Sequence, residues 1–69
     1  MNERSGIEAG KYFMMRTGGI FFVSRVSIAD SGVAITYRVH KGKDQGTEFT
    51  IPQEAFAAAI ERDALPAEL

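Results

Sequence analysis

Apolar and polar positions alternate most regularly over residues 20–39. Ile20, Phe22, Ser24, Val26 and Ile28 alternate with Phe21, Val23, Arg25 and Ser27. Val33, Ile35, Tyr37 and Val39 alternate with Ala34, Thr36, Arg38 and His40. Strand side chains point to opposite faces with period two, so each run carries an apolar row and a mixed row. Both runs are rich in the β-branched and aromatic residues that strands favour. Asp30, Ser31 and Gly32 supply turn chemistry between them. Closing that turn with Ile28 opposite Val33 predicts Val26 opposite Ile35, Ser24 opposite Tyr37 and Phe22 opposite Val39. A one-residue slip would set apolar rows against the wrong face. The second face then pairs Ser27 with Ala34, Arg25 with Thr36, Val23 with Arg38 and Phe21 with His40.

The pattern extends to both sides. Residues 11–16 predict a short strand, followed by Gly18-Gly19 as a two-residue turn. With Thr17 opposite Ile20, Met15 meets Phe22 and Phe13 meets Ser24 on the apolar face, while Arg16 meets Phe21, Met14 meets Val23 and Tyr12 meets Arg25 on the other. After a polar loop, residues 47–51 predict a fourth strand. Pairing Lys41 with Thr47 sets Phe49 opposite Val39, Ile51 opposite Tyr37 and His40 opposite Glu48. Pro52 suits a helix's first turn, and Thr50 and Gln53 stand at capping-box spacing. Residues 53–62 predict a helix whose Phe56, Ala59 and Ile60 line one face; it is too short to be stable unpacked.

The expected fold is mainly β (α+β): a four-stranded antiparallel meander with strands at about 11–16, 20–28, 33–40 and 47–51 and one C-terminal helix at about 53–62. It forms a single domain over residues 11–65. Residues 1–10 are expected to be a flexible N-terminus and residues 66–69 a C-terminal tail. If the sheet curls, it resembles a small SH3-like or Tudor-like barrel in strand count and length alone.

Composition narrows the setting. A chain of 69 residues buries only about 60% of its unfolded surface, so self-association is an expected source of stability. There is no cysteine, hence no disulfide framework and no thiolate zinc site. No apolar run reaches the ~20 residues of a membrane span, and the first residues lack a signal peptide's apolar core. A cytoplasmic protein is expected. The net charge of −1 hides an asymmetry. Residues 11–43 hold six cations (Lys11, Arg16, Arg25, Arg38, Lys41, Lys43) and one acid, Asp30; residues 44–69 hold six acids and one cation, Arg62. Either the two halves attract each other in the fold, or the first presents a basic surface.

With the helix on the apolar face, the second sheet face is left over. It is a mosaic of Tyr12, Met14, Phe21 and Val23 with Arg16, Arg25, Arg38 and His40. Contiguous exposed apolar patches mark interaction sites, and Tyr, Phe, Met and Arg are enriched in interface cores. Three readings follow. In the first the face is buried in a barrel corner; in the second it is a protein-interaction face through which the chain self-associates as a homo-oligomer; in the third it binds single-stranded nucleic acid, with Tyr12 and Phe21 stacking bases and Arg16, Arg25, Arg38, Lys41 and Lys43 as phosphate contacts. The expected function is the second, a small non-enzymatic interaction module, with nucleic-acid binding as the alternative. No catalytic residue, metal site or cofactor is expected. His40 is the single histidine and has too few neighbouring ligands for zinc. No phosphate-loop or dinucleotide motif occurs, and a domain this small offers little room for a pocket of ~300 Å³.

Overall fold

A computed structural model describes residues 7–69. The chain runs β1 (Tyr12–Met15), β2 (Ile20–Ala29), β3 (Gly32–Lys41), β4 (Glu48–Pro52), α1 (Gln53–Ala59), β5 (Ile60–Asp63) and a 3-10 turn, Pro66–Glu68. The strands form one antiparallel sheet of order β4-β3-β2-β1-β5. The fold is mainly β with one helix, as expected, but it has five strands rather than four. β4 and β5 are its two edges, so the sheet is open and the SH3-like barrel is not formed.

The distal half of the β2–β3 hairpin keeps the expected register: Ile28 opposite Val33, Ser27 opposite Ala34, Val26 opposite Ile35 and Arg25 opposite Thr36. At Ser24 the register breaks. Ser24 is an extra residue, and beyond it Val23 faces Tyr37, Phe22 faces Arg38 and Phe21 faces Val39. A β-bulge of this kind turns every later side chain to the opposite face. Val23 and Phe21 therefore join the core face, whereas Phe22 turns outward. The cause lies in the side chains. An unbulged strand would press the Ser24 hydroxyl into the core opposite Tyr37. The bulge instead brings Ser24 Oγ within 3.2 Å of both the Thr36 carbonyl and Glu48 Oε2, to either of which its one O–H can donate. A second irregularity leaves His40 as the extra residue between Val39, opposite Phe21, and Lys41, opposite Ile20.

The neighbouring strands adjust. β1 pairs Tyr12 with Phe22, Phe13 with Phe21 and Met14 with Ile20, three residues from the expected register. That odd shift matches the odd shift of the bulge, so Phe13 and Met15 still reach the core. β4 slides by two, setting Phe49 opposite Tyr37, Ile51 opposite Ile35 and Glu48 opposite Arg38 rather than His40. An even slide preserves the faces. The tight loop before it carries three positive-φ residues, Gly42, Asp44 and Gly46.

α1 starts on Pro52 with no side-chain cap; Thr50 Oγ1 instead bonds Thr36 Oγ1 across the sheet at 2.9 Å. The helix ends at Ala59, not Arg62, because β1 offers a free edge. The Arg16 N–H donates to the Ala59 carbonyl at 3.0 Å, and β5 pairs Ile60 with Met15, Arg62 with Met14 and Asp63 with Phe13. Phe56 is fully buried beneath α1 and meets Phe13 edge-on at 5.8 Å and Tyr37 at 5.3 Å; Phe21 stacks on Tyr37 at 4.3 Å. Val23, Ile35, Val39 and Met15 complete the core, and so does Ile7, which belongs to the stretch expected to be flexible. Residues 1–6 of that stretch lie outside the described residues.

Candidate interaction surface

The residues nominated from the sequence separate into three groups. Phe21 and Val23 leave the outer face, since the bulge at Ser24 turns them to the core face: Val23 is fully buried, and Phe21, half-buried, packs on Tyr37 and Phe56. The first of the three sequence readings buries both; Val23 is buried and Phe21 half-buried, and the cause is a bulge rather than barrel closure.

The second group is satisfied within the fold. Arg16 Nε donates to the Ala58 carbonyl at 2.9 Å, so this cation serves the carbonyl end of α1, where positive charge is favoured. Lys41 Nζ donates to the Glu68 backbone carbonyl at 2.9 Å, and His40 Nε2 lies 3.3 Å from the Leu69 backbone oxygen. These bonds belong to a clamp that residues 62–69 make on the outer face. Arg62 grips Glu68 through two parallel bonds, Nη1 to Oε1 at 2.7 Å and Nη2 to Oε2 at 2.6 Å, and the Leu65 N–H donates to Oε1 at 2.7 Å. The Arg62 bonds, then the Leu65 N–H, lower the Glu68 carboxyl to about 2, and Glu68 in turn raises Arg62. Beside the clamp, the Tyr12 ring packs on Phe22 at 4.8 Å and edge-on against His40 at 4.9 Å. Met14, opposite both Ile20 and Arg62, is half-buried. Of the predicted attraction between the two halves of the chain, the described residues show one ion pair, Lys11 with Asp63 at 3.4 Å.

Arg25, Arg38 and Lys43 form the third group. All are exposed, and no hydrogen bond or ion pair of their side chains occurs among the described residues. Arg25 and Arg38 lie on the outer face, opposite Thr36 and between Phe22 and Glu48 respectively.

The most exposed large apolar side chain was missed from the sequence. Ile28 was assigned to the core row, and it does lie on that face, opposite Val33, yet it is 85% exposed. α1 packs over β3 and β4 and leaves the end of β2 uncovered. Strand length, not side-chain type, makes the difference: β2 and β3 have ten residues each, whereas β1 has four.

Two open grooves flank the sheet. One, of about 600 Å³, has Phe21 on its floor and Gly18, Gly19, Gly42 and Lys43 at its walls. Gly19 is required there, since a Cβ would lie 2.9 Å from the Lys41 carbonyl oxygen. The other, of about 320 Å³, runs between the distal hairpin turn and the β4–α1 junction, past Val33, Ile51 and Pro52. Among the described residues no group of three His, Cys, Asp or Glu side chains is placed to hold a metal ion, and no helix is long and apolar enough to cross a membrane. Comparison with protein-family models, curated proteins and solved structures finds no match.

Proposed function

We propose that this chain is a small non-enzymatic protein-interaction module that self-associates, and that its contact surface is the distal β2–β3 hairpin rather than a face centred on Phe21. The supporting observation is Ile28, 85% exposed on an apolar row that continues through Val26 and Val33. An unpaired strand edge beside exposed apolar side chains is a template for pairing with another chain. The module needs no cofactor for this role. Sedimentation velocity over a concentration series, at low and high salt, tests it. The wild-type chain should form a reversible dimer that persists in salt, and Ile28→Lys should return it to monomer with an unchanged far-ultraviolet spectrum. A monomer at every concentration sinks the reading.

The exposed pair Arg25 and Arg38, beside the Tyr12–Phe22 ring pair, favours a second reading: contact with single-stranded nucleic acid on the outer face. Three of the nominated basic residues, Arg16, His40 and Lys41, already bond the protein's own backbone, which weakens it. Binding should then fall steeply with salt, and the double substitution Arg25→Ala, Arg38→Ala should flatten that slope by about two counterions' worth. Binding that ignores salt excludes this second reading.

A further inference from the structure

We infer that the occupant of the distal hairpin is a second copy of this chain, joined by antiparallel β2–β2 pairing about a two-fold axis at Ser27. The inference rests on the self-association reading above and specifies its geometry.

The argument starts from which backbone groups are free. β2 is paired on its β1 side only as far as Val23, whose N–H donates to the Lys11 carbonyl at 3.0 Å and whose carbonyl accepts the Gly10 N–H at 2.8 Å. Among the described residues nothing pairs with that edge over residues 25–29. Ala29 and Gly32 close the hairpin, with only Asp30 and Ser31 between them. The pair flanking a two-residue turn is hydrogen-bonded, and such pairs alternate along the ladder. Ser27 and Arg25 therefore spend their backbone groups on β3, while the N–H and C=O of Val26 and of Ile28 point out of the sheet. The free edge over residues 25–29 carries no proline; its one charged side chain, Arg25, and the bulge at Ser24 both lie at the end away from Ile28.

The edge is also complementary to itself. A two-fold axis perpendicular to the sheet keeps faces together only when the paired residue numbers sum to an even value. The register centred on Ser27 sets Val26 opposite Ile28 of the second copy, Ser27 opposite its own counterpart and Arg25 opposite Ala29. Val26 and Ile28 exchange backbone hydrogen bonds twice, giving four in all. Their side chains meet on the core face, next to Val33 and Ile35, and cover Ile28. On the other face each Arg25 lies opposite Ala29 of the second copy, one residue from the turn that holds Asp30, the sole acid in residues 11–43. The two Arg25 residues stay about 13 Å apart, four strand residues. A five-residue ladder falls below the usual interface of about 1,200–2,000 Å², so the dimer is weak and concentration-dependent.

Because the chain has no cysteine, one introduced thiol reports the register. Ser27→Cys in the full chain places two thiols across a non-hydrogen-bonded pair, where Cα atoms lie about 4.5 Å apart, within disulfide reach. Ala57→Cys, on the exposed side of α1, is the control for random collision. Under mild oxidation, at concentrations where the wild type dimerises, Ser27→Cys should form covalent dimer at least about tenfold faster than Ala57→Cys, since paired thiols act at roughly millimolar effective concentration. Equal rates in the presence of a wild-type dimer overturn the pairing and leave the hairpin reading to stand on Ile28→Lys. A wild type that never dimerises overturns both. Far-ultraviolet spectra of both variants exclude unfolding as the cause.

Discussion

At the proximal end of the β2–β3 hairpin, residues 20–23 are apolar on both faces and protected on both. Phe21 and Val23 meet α1 and the core; Ile20, though outside the main core cluster, is buried, and Phe22 is half-buried against Tyr12. At the distal end, residues 25–29 alternate cleanly, yet Ile28 is left in solvent and, among the described residues, the strand edge is unpaired. Ile28 is chemically identical to Ile35, which is fully buried one strand away and seven residues on. Burial is decided by what reaches a position, and the four-residue β1 and seven-residue α1 do not reach this one. The proximal end is built to hold the chain together, and the distal end is available to something else.

The largest effect comes from testing that division with the same substitution at both ends. Val23→Asp puts a carboxylate into a fully buried site with no partner. It should cost more than about 4 kcal/mol, against the roughly 3–10 kcal/mol that a domain of this length holds. Ile28→Asp should change monomer stability by no more than about 0.5 kcal/mol. Urea denaturation at concentrations below dimerisation measures both. Comparable losses at the two sites would erase the distinction, and a folded Val23→Asp would show that the bulge does not turn Val23 inward.

The same comparison explains what the sequence discloses. Alternation from Arg25 to Ile28 and from Val33 to Val39 is unbroken, so the distal register and the sheet face of β3 are legible from it. The run Ile20-Phe21-Phe22-Val23 has no alternation and is compatible with either face. Extending the parity through Ser24 therefore put Phe21 and Val23 on the candidate surface. A serine on the apolar row was the available signal that the strand breaks step there. Ile60 and Arg62 fit a helix and a strand equally well; the open edge of β1, a tertiary feature, decides between them. The exposure of Ile28 is likewise invisible in its neighbours, because it depends on where β1 and α1 stop. Tyr12, Arg25 and Arg38 do lie on the outer face as expected, but Arg16, His40 and Lys41 are drawn to backbone carbonyls that no sequence pattern marks.

The smallest effect concerns the outer face of the proximal end, where residues 62–69 fold back. The Glu68 carboxyl, ordinarily near 4.5, is lowered to about 2 by the two Arg62 bonds and then by the Leu65 N–H. Its folded value lies below its unfolded one, so its contribution is complete above the ordinary value and is lost as pH falls through about 2. The group is exposed, and salt weakens the clamp further. Acidification from neutral should therefore free the tail from Lys41 and His40 before it disturbs the core. In amide spectra, the Leu65 resonance should move with a midpoint near 2 while those of Val23 and Ile35 hold still. Glu68→Gln should abolish that titration and loosen Leu65 already at neutral pH, with no change in dimerisation through the distal hairpin. A Leu65 midpoint near 4.5 would mean that the clamp does not hold in solution and that the tail already leaves Lys41 and His40 at neutral pH.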